Sequence, residues 1–206
     1  MIIYIIAFII TIFLCFQMQR RCNIAAKNPR MFCQEKIQLY IMYLLAVSPL
    51  VLLAAFRDVE IGKDTVTYVS MFEEAQVVSD YSTFFKLQGE QPIYTFILYT
   101  FAHFGFNVGV FLGVLQLMAL LPLLSLTLEK KGDVKLWHII TIYCCWFYND
   151  SLNAIRQFIA IGFMITFYEC LFKKKKWKTI VCFVIAFGFH SSSILLAVIF
   201  YVLYRV

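Results

Sequence analysis

Long unbroken apolar runs constrain the fold of this chain more than any other feature. Residues 2–18 are almost entirely apolar, and residues 37–56 form a second such run. A helix needs about 20 apolar residues to cross the hydrocarbon core, and lipid tolerates only structures that satisfy their own backbone hydrogen bonds. A β-barrel would show short segments of alternating hydrophobicity, which this sequence lacks. The runs therefore predict an all-α fold, a polytopic transmembrane helical bundle.

The composition supports a single integral membrane domain over residues 1–206. The chain is 62% hydrophobic, with a mean hydropathy of +0.80 and 22 Phe residues. Its net charge of +6 comes largely from basic loops, which indicates membrane orientation and argues against nucleic acid as a partner. None of the seven cysteines has metal-ligand spacing with a histidine, so we expect small buried hydrophobic residues and no metal site.

Two basic loops predict the orientation of the chain. Residues 19–36 carry five basic residues against one acid, and residues 173–176 are four consecutive lysines. Cytoplasmic loops carry an excess of Lys and Arg, so both loops are predicted to be cytoplasmic and the N-terminus external. The N-terminus lacks a positively charged n-region and a small-residue cleavage site, so we expect a retained span and not a signal peptide.

About seven spans follow from this orientation. The predicted spans are residues 2–18, 37–56, 108–128, 136–148, 154–172, 177–189 and 193–204, and residues 149–153 are predicted as an external turn. Residues 57–91 are predicted as an external loop with interfacial helices. Residues 92–106 are interpreted as a re-entrant or interfacial helix, because a full crossing there would carry the lysine run to the outer face.

The external loop begins with a concentration of charge. Only 15% of the chain is charged, yet five charged residues fall within eight positions: Arg57, Asp58, Glu60, Lys63 and Asp64. Gly62 permits a bend there, and Asp64 is predicted to cap a short helix with its side chain. On that helix an apolar stripe recurs at i, i+3, i+4 and i+7, formed by Tyr68, Met71, Phe72 and Ala75. We expect this stripe to lie in the lipid headgroups and acyl boundary.

Three predicted external turns carry unusual polar residues. They contribute Arg57, then Asn153 with Arg156 and Gln157, and finally His190. A guanidinium at the centre of a bilayer costs about 2.5–3.5 kcal/mol on insertion scales, so Arg156 is expected to face a polar cavity or an anion. The planar fork of arginine matches phosphate oxygens, and the combination predicts a site for a diphosphate or another anion.

Simpler interpretations of these residues remain open. Snorkelling to the interface would also explain Arg156, and an interfacial anchor paired with Asp58 would explain Arg57. Asp58 and Glu90 are equally interpretable as solvated loop acids. His190 is interpretable as a hydrogen-bonded residue of a turn between two helices.

The chain resembles the EpsG family of membrane proteins, relatives of the Wzy-type polysaccharide polymerases. The resemblance rests on three motifs: Arg57, Gly62, Asp64, Tyr68 and Phe72; then residues 153–157 with Ala160; and residues 189–192. Lys63 departs from the small residue expected between the glycine and the aspartate. Family members usually continue for several more spans, so the resemblance implies a C-terminally truncated copy.

The resemblance implies an enzyme that joins oligosaccharide units of an exopolysaccharide or capsule at the outer face of the bacterial plasma membrane. The units are carried on polyprenyl diphosphate, so no cofactor is expected. Arg57 and Arg156 are the candidates for binding the diphosphate, and Gln157, Asn153 and Tyr68 are further candidates for substrate binding. The base is expected among His190, Asp58, Asp64 and Glu90.

Other functional classes also fit the sequence. A transporter or flippase for the lipid-linked glycan would place broken helices around an arginine-lined cavity, although its polar route should cross the whole bilayer. A membrane acyltransferase using His190 and a scaffolding subunit are further alternatives. Membrane lipid and other polysaccharide-synthesis membrane proteins are the expected partners besides the lipid-linked glycan.

Overall fold

The computed structural model describes residues 2–27, 29–62, 64–89, 91–129 and 135–205, with side chains described except at 29–34 and 125–129. These residues form helices and no strands, which confirms the all-α fold class. In chain order the helices are α1 Ile2–Ala26, α2 Pro29–Ala55, α3 Thr65–Val77, α4 Tyr81–Gln88, α5 Pro92–His103, α6 Val108–Glu129, α7 Leu136–Ile142, α8 Tyr148–Asn153, α9 Ile155–Phe172, α10 Lys176–Phe189 and α11 Ser193–Arg205. A π-helical turn, Tyr143–Phe147, joins α7 to α8.

Three helical segments within the described residues are long and apolar enough to cross a membrane. They are Ile2–Ala26, Glu35–Ala55 and Ile155–Phe172. Val108–Leu124 and Ser193–Arg205 are apolar but shorter. The lengths and composition of these segments indicate a membrane-embedded protein.

Two predicted connections are more helical than expected. Helix α1 continues to Ala26 and α2 begins at Pro29, so most of the predicted loop 19–36 is helical. The arginine, lysine, glutamine and alanine residues there are good helix formers, and proline suits the first position of a helix. The predicted turn 149–153 is also wrong, because α8 occupies Tyr148–Asn153 and the chain bends at Ala154, where φ is −96° and ψ is 44°.

Helices α2 and α6 approach closely because two glycines face the end of α2. A Cβ added at Gly109 would abut the carbonyl oxygen of Ala55, and one at Gly113 would lie 3.0 Å from the Ala55 Cβ. Small residues four apart allow helix backbones to approach in a membrane, where packing replaces hydrophobic burial as the driving force. This contact holds the end of α2, and therefore the residues after it, against α6.

Helix α2 also accommodates a proline. Pro49 has no N–H, so the carbonyl of Leu45 loses its helical partner. The hydroxyl of Ser48 donates to that carbonyl oxygen at 2.9 Å. The Ser48 hydroxyl therefore takes the place of the missing N–H, and α2 remains helical through Pro49.

The buried residues form two clusters that share α6. One cluster lies between α1, α2, α6, α7 and α8, and includes Tyr43 and Tyr148. The other lies between α3, α4, α5, α6, α9 and α10, and includes Phe72 and Phe111. Tyr43 donates to the Leu120 carbonyl oxygen at 2.6 Å and Tyr148 to that of Leu50 at 2.8 Å, which satisfies each buried hydroxyl.

The apolar stripe of α3 lies in the protein and not in the lipid, contrary to the prediction. Tyr68, Phe72 and Ala75 are at most 2% exposed and belong to the second cluster. Helix α3 packs against α5, and the Phe72 ring lies 5.4 Å from that of Phe111 on α6. An apolar stripe can pack against apolar side chains as well as against lipid, and here α5 and α6 cover it.

Helix α5 lies across one end of the bundle. Near its start Ile93 abuts Gly188 at the end of α10, and near its end the Phe101 ring lies 6.0 Å from that of Phe111 in the first turn of α6. A helix of 12 residues is about 18 Å long, too short for a hydrocarbon core of about 30 Å. This geometry fits the interfacial interpretation of residues 92–106.

Candidate functional site

The site is built around the break between α8 and α9. The last carbonyls of a helix have no partner within it. The Arg57 guanidinium donates from Nη1 to the Leu152 carbonyl oxygen at 2.9 Å, and the Tyr68 hydroxyl donates to that of Asn153 at 2.8 Å. The loop after α2 and helix α3 therefore hold the end of α8 through two adjacent carbonyls.

Gly62 fits under the side chain at the end of α8. Its φ is +98°, and a Cβ built there would lie 2.6 Å from Asn153 Oδ1. Both the positive φ and the close approach require glycine. The Asn153 amide donates from Nδ2 to the Asn149 carbonyl oxygen at 3.3 Å, while its Oδ1 is buried without a hydrogen-bond partner.

Arg57 is a buried cation with spare donors. It is 9% exposed, and its Nε and Nη2 are buried with no hydrogen-bond partner. Among the described residues it forms no ion pair. Burial lowers the pKa of its guanidinium, because the charged form loses hydration. An anion placed beside Nε and Nη2 would satisfy both donors.

Arg156 lies over two aromatic rings. Its Cζ is 5.0 Å from the centroid of the Tyr94 ring and 5.7 Å from that of Tyr68. Such cation–π contacts hold a guanidinium without neutralising it. In the part of the chain that the structure describes, no carboxylate forms an ion pair with Arg156. Burial raises the pKa of the Tyr68 hydroxyl, and the neighbouring Arg156 charge opposes that rise.

His190 joins the same region from the turn between α10 and α11. Its Nδ1 lies 3.4 Å from Nε2 of Gln91, which stands just before α5. Burial lowers the pKa of His190, and the Arg156 charge lowers it further. The imidazole is therefore neutral at pH 7 and able to accept a proton.

Asp58 and Asp64 make no side-chain hydrogen bond to the residues of this contact network. Asp58 is exposed, and its carboxylate accepts from the Glu60 N–H at 3.4 Å. Asp64 stands at the start of α3, but its exposed side chain makes no capping hydrogen bond, so that prediction is wrong. Asp64 contacts the helix through its backbone instead: its carbonyl oxygen accepts from the Tyr68 N–H at 3.0 Å.

The last two predicted site residues are Gln157 and Glu90. Gln157 is exposed at the start of α9. Glu90 lies outside the described residues. Within those residues no group of three or more His, Cys, Asp or Glu side chains is placed to hold a metal ion.

Sequence reasoning missed Gln91 and Tyr94. Gln91 is 7% exposed, and its Oε1 has no hydrogen-bond partner; Tyr94 is 3% exposed, and its hydroxyl has none either. Gln91 ends the predicted external loop 57–91, where an amide directly before Pro92 was the only available signal, and Tyr94 lies in residues 92–106, interpreted as re-entrant or interfacial. Tyr94 lies in an apolar run, and nothing in its local sequence indicates that its ring contacts Arg156.

The fold and the site define an all-helical membrane protein with a cationic, histidine-containing site at one end of the bundle. The family model of the EpsG family matches residues 40–206, and the chain belongs to this family. The resemblance drawn from the three motifs is thereby confirmed. Comparisons with curated proteins and with solved structures found no significant match. Membership indicates a membrane protein of the polysaccharide-polymerase type.

Proposed function

We propose that this protein polymerises oligosaccharide units carried on polyprenyl diphosphate into an exopolysaccharide or capsule. The observation that carries the proposal is the pair of arginines around Tyr68, neither in an ion pair within the described residues, with a neutral histidine beside one of them. An unpaired buried or half-buried cation is costly unless an anion joins it. A lipid-linked diphosphate supplies that anion at the membrane surface.

The two arginines divide the binding of the diphosphate. Arg57 has one nitrogen bound to the Leu152 carbonyl, which leaves Nε and Nη2 for phosphate oxygens. Arg156 is held by the Tyr68 and Tyr94 rings, with its charge available to the leaving group. Positive charge positioned in advance stabilises the negative charge that develops on a departing diphosphate.

His190 acts as the general base. The hydroxyl oxygen of the acceptor sugar bonds to the anomeric carbon of the donor, and the bond from that carbon to the diphosphate oxygen breaks. The electron pair leaves with the diphosphate, and the hydroxyl proton passes to the neutral imidazole. Asp58, Asp64 and Glu90 are the alternative bases; the exposure of the first two makes them weaker candidates.

The proposed topology has seven crossings, with the N-terminus outside the bacterial plasma membrane. The crossings are α1, α2, α6, α7 through α8, α9, α10 and α11. The site then faces outward, where lipid-linked units await polymerisation, and the lysine run before α10 stays in the cytoplasm. Other polysaccharide-synthesis membrane proteins are its expected neighbours in that membrane.

The test compares substitutions at Arg156 in liposomes supplied with lipid-linked oligosaccharide, with product length read on a gel. Arg156→Lys keeps the charge but removes the planar fork, so polymerisation should fall about tenfold to a hundredfold, the effect of losing a charge-assisted contact in the transition state. Arg156→Ala should reduce it further.

Lys174→Ala is the matched control, because Lys174 is an exposed cation in the turn before α10. It should leave product length unchanged while both proteins insert and accumulate normally. Wild-type product length with Arg156→Ala would contradict the proposed function and leave Arg156 as an interfacial anchor.

A further inference from the structure

A groove lies between α1 and α2 at the end of the hairpin where Arg57 lies. Further along the hairpin the facing side chains of Cys15, Met18 and Tyr43 are 0% exposed. Nearer the start of α1, Ile6 remains 51% exposed and Leu52 on α2 remains 52% exposed. Between them lies a cavity of about 390 Å³.

The walls of this groove are apolar and stiff. Ile6, Ala7 and Ile10 line it from α1, and Pro49, Leu52 and Leu53 line it from α2. Isoleucine has one strongly preferred χ1 rotamer in a helix, and proline has a fixed φ. The shape of the groove therefore exists before anything enters it. The back of α1 is held in place because the Phe8 ring lies 5.3 Å from that of Tyr148.

A buried cation closes one end of the groove. Arg57 lines it, and its Nε and Nη2 are buried without a hydrogen-bond partner. Asp58 lines the same end, but its side chain is exposed and forms no ion pair with Arg57 within the described residues. A narrow apolar groove ending at an unpaired guanidinium suits an amphiphile with one hydrocarbon chain and an anionic head.

We propose that this groove binds the polyprenyl chain of the lipid-linked substrate while Arg57 binds its diphosphate; the identity of this occupant rests on the proposed function. A chain leaving the bilayer for the groove gains no hydrophobic free energy, because lipid is already apolar. Selection must come from packing, and a stiff preformed groove favours a methyl-branched, stiff chain over a straight flexible acyl chain. The groove thus selects the carrier lipid, and the site selects the diphosphate.

Photocrosslinking tests the groove independently of catalysis. The photoreactive residue p-benzoylphenylalanine replaces Ile6 in one protein and Ile5 in its matched control, because these neighbours are 51% and 50% exposed but only Ile6 lines the groove. The probe is tritium-labelled undecaprenyl diphosphate in vesicles of phosphatidylethanolamine and phosphatidylglycerol. We expect crosslinking to be about tenfold greater at Ile6, corresponding to ~1.4 kcal/mol of preferential occupancy.

Blocking the groove provides the second measurement. Ile6→Trp should lower crosslinking of the probe to the photoreactive residue placed at Leu52 about tenfold, whereas Ile5→Trp should leave it unchanged. Equal crosslinking at Ile5 and Ile6 would overturn the proposal, as would displacement of the probe by added phosphatidylglycerol. Polymerisation without crosslinking at Ile6 would overturn the groove alone. Selective crosslinking in a protein that does not polymerise would support the groove and contradict the proposed function.

Discussion

At the scale of single residues, the two arginines of the site have different surroundings and should respond differently to substitution. Arg57 is buried and bonded to the end of α8, so its removal leaves an unpaired carbonyl as well as a missing cation. Arg156 rests on the ring faces of Tyr68 and Tyr94, and the Tyr68 hydroxyl keeps its bond to the Asn153 carbonyl oxygen when Arg156 is removed. Substitutions at Arg57 should therefore affect folding and activity together, and those at Arg156 mainly activity.

Gly62→Ala should abolish most activity, whereas Gly105→Ala should retain it. Both glycines have positive φ, +98° and +74°, so both substitutions introduce backbone strain of about 1–2 kcal/mol. Only at Gly62 does the new Cβ meet the Asn153 side chain; at Gly105 nothing lies within 4 Å. Thermal unfolding and product length would be measured for both proteins. Equal activity losses would show that strain, and not contact with Asn153, makes Gly62 necessary.

The charge of Arg156 should lower the measured pKa of His190. The pKa of His190 should lie below its ordinary value of 6.5, and Arg156→Gln should raise it part of the way back, because burial remains. Histidine NMR of labelled protein in nanodiscs measures this directly, with Lys174→Ala as the control that leaves it unchanged. An unchanged His190 pKa in the Arg156→Gln protein would show that the charge of Arg156 does not act on His190.

The same shift has a consequence for stability. The unfolded chain protonates His190 near pH 6.5, before the folded protein does, so the neutral imidazole contributes its full stability above that pH. The contribution should be lost as pH falls from about 6.5 towards the lower folded pKa. Polymerisation should fall in the acid range for the same reason, since the base is then protonated.

At the scale of elements, the site depends on helix contacts that position its loops. The close approach of α2 and α6 fixes Ala55, two residues before Arg57. The π-helical turn Tyr143–Phe147 immediately precedes α8, whose last two carbonyls bind Arg57 and Tyr68. Such π-helical turns are frequent at functional sites in helices.

Gly109→Leu should destabilise the protein by about 1–3 kcal/mol, the usual cost of overpacking a well-packed contact. The new side chain would collide with the Ala55 carbonyl oxygen and push α6 from α2. Val110→Leu, at a residue that is 42% exposed on the same helix, should have little effect. Thermal unfolding in detergent compares the two, and equal melting temperatures would show that α2 and α6 tolerate a wider separation.

At the scale of the whole molecule, one end of the bundle gathers the site and the other gathers the basic turns. The site is formed from the loop after α2, the helices α3 and α5, the α8–α9 break and the α10–α11 turn. The lysine run lies at the opposite end of α9. This separation is the physical basis for the proposed orientation, since basic loops favour the cytoplasm.

Cysteine labelling tests that orientation. In a cysteine-free background, Asp58→Cys and Ser192→Cys should react with a membrane-impermeant maleimide in intact cells, because both positions are exposed at the proposed outer end. Lys174→Cys should react only after permeabilisation. Labelling of Lys174→Cys in intact cells, with Asp58→Cys protected, would reverse the topology and place the site in the cytoplasm.

Local chemistry of the sequence determined the class of protein and most helix positions. Apolar runs predict membrane helices because each span must satisfy its own backbone in lipid, and this property does not depend on distant residues. Helices α9, α10 and α11 accordingly begin within one residue of the predicted positions 154, 177 and 193. The three motifs were likewise sufficient to indicate the EpsG family.

Tertiary structure alone decided which side chains meet. Arg57 bonds to a carbonyl 95 residues away, and Gln91 lies beside a histidine 99 residues away, contacts that no local pattern encodes. The stripe of α3 was assigned to lipid and is buried in protein, because an apolar face has the same sequence in either environment. The sequence shows where the charged residues are. Only the fold shows that Arg57 keeps two buried nitrogens without a hydrogen-bond partner.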